Sequence, residues 1–295
     1  MADASMGHQS RLSMAATGTA VGSYTESFEF ISESLRKQQE IVETNGIRGT
    51  RSIPIERTRD SIYRVSGGVQ FHATPSMLDL ILPRIMGANE STDVFAFAET
   101  LPAFDVLIDR VAKRFVYGGC KIGRATFRAS AGGPLELDCE LTGKTEVVSA
   151  TAFPSISAPT DPPYVWSDAV CTIEGTTRTV TQWELTIDNR INSRFANSQT
   201  ATDIHTEGRD VTLSLTVPYT SDEVDLYGIN SSGASAATFV LTNGNRSITF
   251  AVAALMVPDA SPVVGGPGEI LLTLSGSARS SGATKELVIT SDSTA

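Results

Sequence analysis

The chain predicts a mainly β fold, a sandwich or barrel with one or two flanking helices and long loops, and three observations carry that reading. From residue 101 onward, short alternating runs recur between turn residues, at 104–109, 114–118, 122–131, 134–143, 164–174, 180–188, 210–217, 238–242, 247–255, 268–275 and 285–290. Asn243-Gly244 sits between TFVLT and NRSITF, the strongest short-range hairpin signal. The stretch ATFRASAGGPLELDCELTGK (125–144) alternates, breaks at Gly-Gly-Pro and alternates again. Its odd positions are apolar, while Arg124, Arg128, Glu136, Asp138 and Glu140 fall on even ones. That is a hairpin with one buried and one charged face.

Residues 1–25 are small and polar without periodicity and predict an N-terminal arm ordered by a partner. The rest, 26–295, predicts a single β domain. Phe28, Ile31, Leu35 and Val42 lie near helical spacing, so 26–43 predicts an amphipathic helix. Residues 44–61 carry Arg48, Arg51, Arg57 and Arg59 around Pro54 and predict an extended basic loop. DSIYRVSGGVQFHA then reads as a strand broken at Gly67-Gly68. Thr74-Pro75 opens a second helix over 75–86 with Met77, Leu78, Ile81 and Leu82 on one face, and Pro83 is expected to end or kink it. Long irregular stretches at 145–163 and 219–237 predict functional or partner-ordered loops.

At 295 residues the chain can bury a large core. Its composition, 41% hydrophobic and 19% charged with mean hydropathy −0.01, is that of a globular protein. No apolar run reaches the ~20 residues of a membrane span, and no basic head precedes an apolar run at the N-terminus. No membrane insertion is expected, and synthesis in a cytoplasm is. Cys120, Cys139 and Cys171 match neither a disulfide framework nor a metal knuckle, and read as buried thiols. The net charge of −10 argues against a chain that grips nucleic acid through its phosphates, which takes a basic surplus.

No enzyme constellation assembles. His8, His72 and His205 have no Cys or second His at ligand spacing, and the Gly-x-Ser-x-Gly elbow is absent. GGPGE at 265–269 lacks the Gly-Lys-Ser/Thr ending of a phosphate loop. Asp222, Glu223 and Asp225 do not follow calcium-loop spacing. The chain is therefore expected not to be an enzyme and to carry no catalytic residue, metal or cofactor.

Charge placement does stand out. Residues 110–128 hold Arg110, Lys113, Arg114, Lys121, Arg124 and Arg128 and no acid, whereas 129–140 hold Glu136, Asp138 and Glu140 and no base. A turn about Gly132 sets Arg128 opposite Glu136 and Arg124 opposite Glu140. These pairs either fix sheet register, or mark a basic segment of one subunit that meets an acidic segment of the next.

The order of these pieces resembles one family. An arm leads through a helix-like segment to IRGTRSIPIERTR, then YRVSGGVQFHATP and LPRIMG. LPAFDVLIDRVAKRFVYGGCKIGRATFRASAGGPLELDCELTGK, WELTIDNRINSRF and DVTLSLTVPYTSDEVDLY follow. Over about residues 25–290 this is similar to the tail tube (major tail) proteins of long-tailed bacteriophages. The resemblance implies a structural virion protein, made in the bacterial host cytoplasm and housed in the tail. It implies hexameric rings stacked into a hollow tube that conducts DNA without specific binding. The implied partners are further copies of the chain, the tape measure protein, and the tail terminator and tail tip proteins. Ring-to-ring contacts would fall on 1–25, 44–61 and part of 145–163 or 219–237. Glu136, Asp138 and Glu140 become candidate lumen-facing or inter-subunit acids, and Arg48, Arg51, Arg57, Arg59, Arg124 and Arg128 candidate inter-subunit bases. The competing readings are the tube of a gene transfer agent or contractile injection system, and a β-sandwich module decorating a virion surface.

Overall fold

The structure, a computed structural model, describes residues 5–44, 46–87, 93–227, 229, 235–258 and 261–293. Residues 1–4 of the expected arm, and 228 and 230–234 of the expected 219–237 loop, lie outside the described residues.

In chain order the strands begin with β1 (Arg11–Ala16), β2 (Glu26–Phe28), β3 (Ser32–Glu33), β4 (Arg36–Glu43) and β5 (Thr58–His72). Helix α1 (Pro75–Met86) follows, then β6 (Val94–Ala96), β7 (Phe104–Asp109), β8 (Arg114–Ser130), β9 (Glu136–Gly143) and β10 (Thr145–Ser149). Next come β11 (Ala169–Ile173), β12 (Thr176–Arg178), β13 (Gln182–Asp188), β14 (Ile191–Arg194), β15 (Asp203–Thr206) and β16 (Asp210–Pro218). The chain closes with β17 (Ser235–Asn243), β18 (Arg246–Met256), β19 (Leu271–Arg279) and β20 (Leu287–Asp292).

One antiparallel layer runs β4-β5-β9-β8-β13-β16-β19, and a second runs β12-β11-β17-β18-β20-β6. They join at a corner where Ala254–Met256 of β18 pairs with β19. Between them Phe127 of β8 meets Phe250 of β18 edge-on at 5.0 Å, and Trp183 of β13 packs on Phe239 of β17 at 5.1 Å. These aromatic pairs bridge strands that share no ladder, so they fill the space of a sandwich core. The expected mainly β fold is what the chain adopts.

The first half of β8 leaves this layer and builds a small sheet, β10-β8-β7-β1-β2. Here β1 corrects the reading of residues 1–25 as an arm. Leu12 and Met14 are fully buried and pair in register with Ile108 and Val106 of β7. The apolar alternation that drives this is only a few residues long, too short to stand out among polar neighbours.

The helix expected over 26–43 is also overturned, since the segment forms β2, β3 and β4. Phe28 and Leu35 are buried, but Ile31, Ile41 and Val42 are exposed, so no continuous apolar stripe exists for a helix to cover. The long β5 instead offers a row of unpaired backbone groups, and β4 satisfies them.

The glycine pair does not break β5. Its pairing with β9 is continuous from Val65 to His72. Gly67 serves a close approach, because a Cβ there would lie 2.5 Å from the Leu35 Cα.

Helix α1 forms where expected and buries Met77, Leu78, Ile81, Leu82, Ile85 and Met86. Its first turn is capped from a distance, as the Ser76 N–H donates to Asp161 Oδ2 at 2.9 Å. Pro83 does not end it, and the helix continues to Met86 before Gly87 adopts φ 102°. Burial of the turn around Pro83 outweighs one missing hydrogen bond.

Candidate functional site: a charged sheet face

The outward face of the first layer is set by parity. Alternation puts Phe127, Leu137, Leu185 and Leu213 into the core. The intervening residues of β9, β8, β13 and β16 must then point away. Across the ladder they form rows: Glu140, Arg124, Asp188 and Asp210; then Asp138, Thr126, Thr186 and Thr212; then Glu136, Arg128, Glu184 and Ser214. An open trough of about 520 Å³ lies over them.

The expected pairing of Arg124 with Glu140 and Arg128 with Glu136 is the observed register. The ion pairs are richer than register alone gives. Arg128 donates from Nε to Glu184 at 2.9 Å, and its Nη1 lies 2.9 Å from Asp138. Arg124 Nη2 donates to Asp188 at 3.0 Å, and its Nη1 lies 3.6 Å from Glu140. Thr126 and Thr186 hydroxyls share a 3.2 Å hydrogen bond between the two rows. The hydrogen bond to Asp188, then the charge of Glu140, raise the pKa of Arg124. Burial works to raise that of Asp188, but the Arg190 backbone N–H and the Arg124 guanidinium outweigh it and hold the carboxyl low.

Sequence reasoning missed Glu184, Asp188 and Asp210. The signal was present in QWELTID, where Glu184, Thr186 and Asp188 alternate with Trp183, Leu185 and Ile187. What was lacking was the knowledge that β13 pairs with β8, across 56 to 64 residues of chain.

The other candidate bases lie apart: Arg48, Arg51 and Arg57 in the long connection between β4 and β5, and Arg59 at the start of β5, opposite Val42 of β4. Arg51, Arg57 and Arg59 are exposed, and Arg48 is half-buried and donates to the Thr44 carbonyl. Among the described residues none of these four forms an ion pair. The same connection exposes Ile47 completely, Ile55 largely and Ile53 by about half.

Nothing gathers into a reactive centre among the described residues. Cys120, Cys139 and Cys171 are free and buried, and desolvation pushes the Cys171 thiol up to about 12. Among the described residues no group of three or more His, Cys, Asp or Glu is arranged to hold a metal. His205 lies 3.5 Å from Glu207 in an exposed hairpin. Among the described residues no helix is long and apolar enough to cross a membrane.

A charged sheet face and an exposed apolar and basic loop suit an assembly subunit. The profile of the phage tail tube protein family matches residues 7–278, nearly the whole chain. The chain belongs to the phage tail tube protein family. A search of the curated proteins finds no match. As a tail tube protein it is a structural component of the virion tail, and it assembles with copies of itself into a tube.

Proposed function

We propose that the subunits close into hexameric rings, that the rings stack into a hollow tube conducting DNA, and that the charged face of β9, β8, β13 and β16 lines the lumen. The observation that carries this is the surplus of acid on that face. Glu136, Asp138, Glu140, Glu184, Asp188 and Asp210 surround Arg124 and Arg128. A duplex bears one negative charge per ~1.7 Å of axis, so a lining of net negative charge repels it and lets it slide.

Two further features support ring closure. Among the described residues β4 has no strand on its outer side, and β19 has none beside Leu271–Gly276. Unpaired edges at both ends of one layer suit head-to-tail assembly, which removes them. The loop with Arg48, Arg51 and Arg57, together with Arg59 at the start of β5, then serves contact between stacked rings. Within the tail the tube would enclose the tape measure protein and end on terminator and tip proteins. Synthesis would take place in the host cytoplasm.

The test replaces Glu136, Asp138 and Glu140 together by Lys in an intact phage. Normal tubes with slowed genome ejection support a luminal face. Folded subunits that no longer form tubes assign the face to subunit contact instead.

A further inference from the structure

A surface that must pass a polyanion ought not to display arginine, the side chain best matched to phosphate. Yet β8 places Arg124 and Arg128 in the middle of the charged face, about half exposed. We propose that Arg124 and Arg128 are masked arginines, withheld from phosphate by carboxylates on both flanking strands, so that the face does not bind nucleic acid although it carries guanidinium groups. The proposal rests on the reading of this face as the tube lining and names the residues that keep that lining slippery.

The geometry supports masking over register. A cross-strand pair needs one carboxylate per base. Here each guanidinium has two, one from β9 and one from β13: Asp138 and Glu184 for Arg128, Glu140 and Asp188 for Arg124. The two contacts use different nitrogens in each case, Nε and Nη1 on Arg128, Nη1 and Nη2 on Arg124. On each arginine one donor is thus hydrogen-bonded to a β13 carboxylate, and a second nitrogen faces a β9 carboxylate, at 2.9 Å on Arg128 and 3.6 Å on Arg124, where a phosphate would otherwise approach. Each arginine also sits inside a local excess of negative charge, so an approaching phosphate meets carboxylates on both sides. Neutral spacers complete the arrangement, since Thr126 and Thr186 bond to each other rather than to either arginine.

The test uses soluble full-length subunits, in which this face is open. Fluorescence anisotropy of a short labelled DNA duplex is read at a series of salt concentrations for wild type and for variants. Asp138→Asn with Glu184→Gln frees Arg128, and Glu140→Gln with Asp188→Asn frees Arg124. The combined variant is expected to bind at least about tenfold more tightly than wild type at low salt, with a log–log salt slope steeper by about one to two. Adding Arg124→Gln and Arg128→Gln should return it to the wild-type value. Glu29→Gln with Glu269→Gln, which neutralise exposed acids elsewhere, should change little. Equal affinity of wild type and the combined variant would overturn masking, and so would a gain that survives loss of both arginines. Circular dichroism checks the fold of each variant, and either pair alone reads one arginine should the combination not fold. Because the assay needs no tube, electron microscopy of the same preparations reads the ring and tube proposal separately.

Discussion

Arg178 at the end of β12 donates to both carboxylate oxygens of Asp225, from Nη1 to Oδ1 and Nη2 to Oδ2, each at 2.8 Å. The guanidinium is almost wholly buried and also reaches Glu223 at 3.2 Å, itself 4% exposed. Glu223 in turn accepts the Thr179 N–H at 2.8 Å. The stretch 222–225 is thus pinned to the edge of the second layer by a buried Arg178–Glu223 pair and by the exposed Asp225 carboxylate. Replacing Arg178 by Met should cost about 3 kcal/mol, because Glu223 stays buried without its partner. Urea unfolding reads that loss, and limited proteolysis should find new cleavage near residues 220–227.

Acid should weaken the fold through defined carboxylates. The hydrogen bond from Arg178 holds the Asp225 pKa below its ordinary value, and Asp188 is held low as described above. A depressed folded pKa contributes stability that is present above the unfolded value, near 4, and is lost as pH falls through the still lower folded value. Unfolding free energy should therefore drop below pH 4. Asp188→Asn and Asp225→Asn should each flatten that drop, measured by denaturant titrations at neutral and acid pH.

Gly67 has no room for a side chain against the Leu35 backbone. Gly67→Ala should force β3 and β4 away from β5 and destabilise by roughly 1–3 kcal/mol, as overpacking does. Gly132→Ala, at a turn with open space but φ 84°, gives the comparison in which only backbone strain acts. Thermal unfolding of the two variants separates the effects.

Ile47 and Ile55 touch no core. Ile47→Ser with Ile55→Ser should leave the unfolding midpoint within about 0.5 kcal/mol of wild type, as surface changes do. If the loop joins rings, the same variant should yield short tubes or single rings on electron micrographs. Tubes of normal length would remove the loop from that role.

The parts of the fold legible in sequence are those whose pattern is local. The β8–β9 hairpin is readable to the register from Arg124 to Glu140, because a period of two holds there on both sides of Gly132-Gly133; the register shift between Ile122 and Arg124 lies beyond it. Helix α1 was readable from Thr74-Pro75 and its apolar face. The segment 26–43 was not, since its spacing of Phe28, Ile31 and Leu35 fits a helix while the need of β5 for a partner decides otherwise. Long-range pairing overrode local propensity there. The charged face shows the same division. Arg124 and Arg128 and their β9 partners follow from one hairpin, whereas Glu184 and Asp188 arrive from a strand that only the folded chain brings alongside.

The most direct test of the central claim is negative-stain electron microscopy of the purified protein at low and high concentration, beside a version lacking residues 1–10. That cut spares Leu12 and Met14, whose burial in β1 makes removal of all of 1–25 a test of folding rather than assembly. The account predicts six-fold rings that stack into hollow tubes as concentration rises. Closed particles of another symmetry, or rings whose channel is too narrow for a duplex, would contradict it.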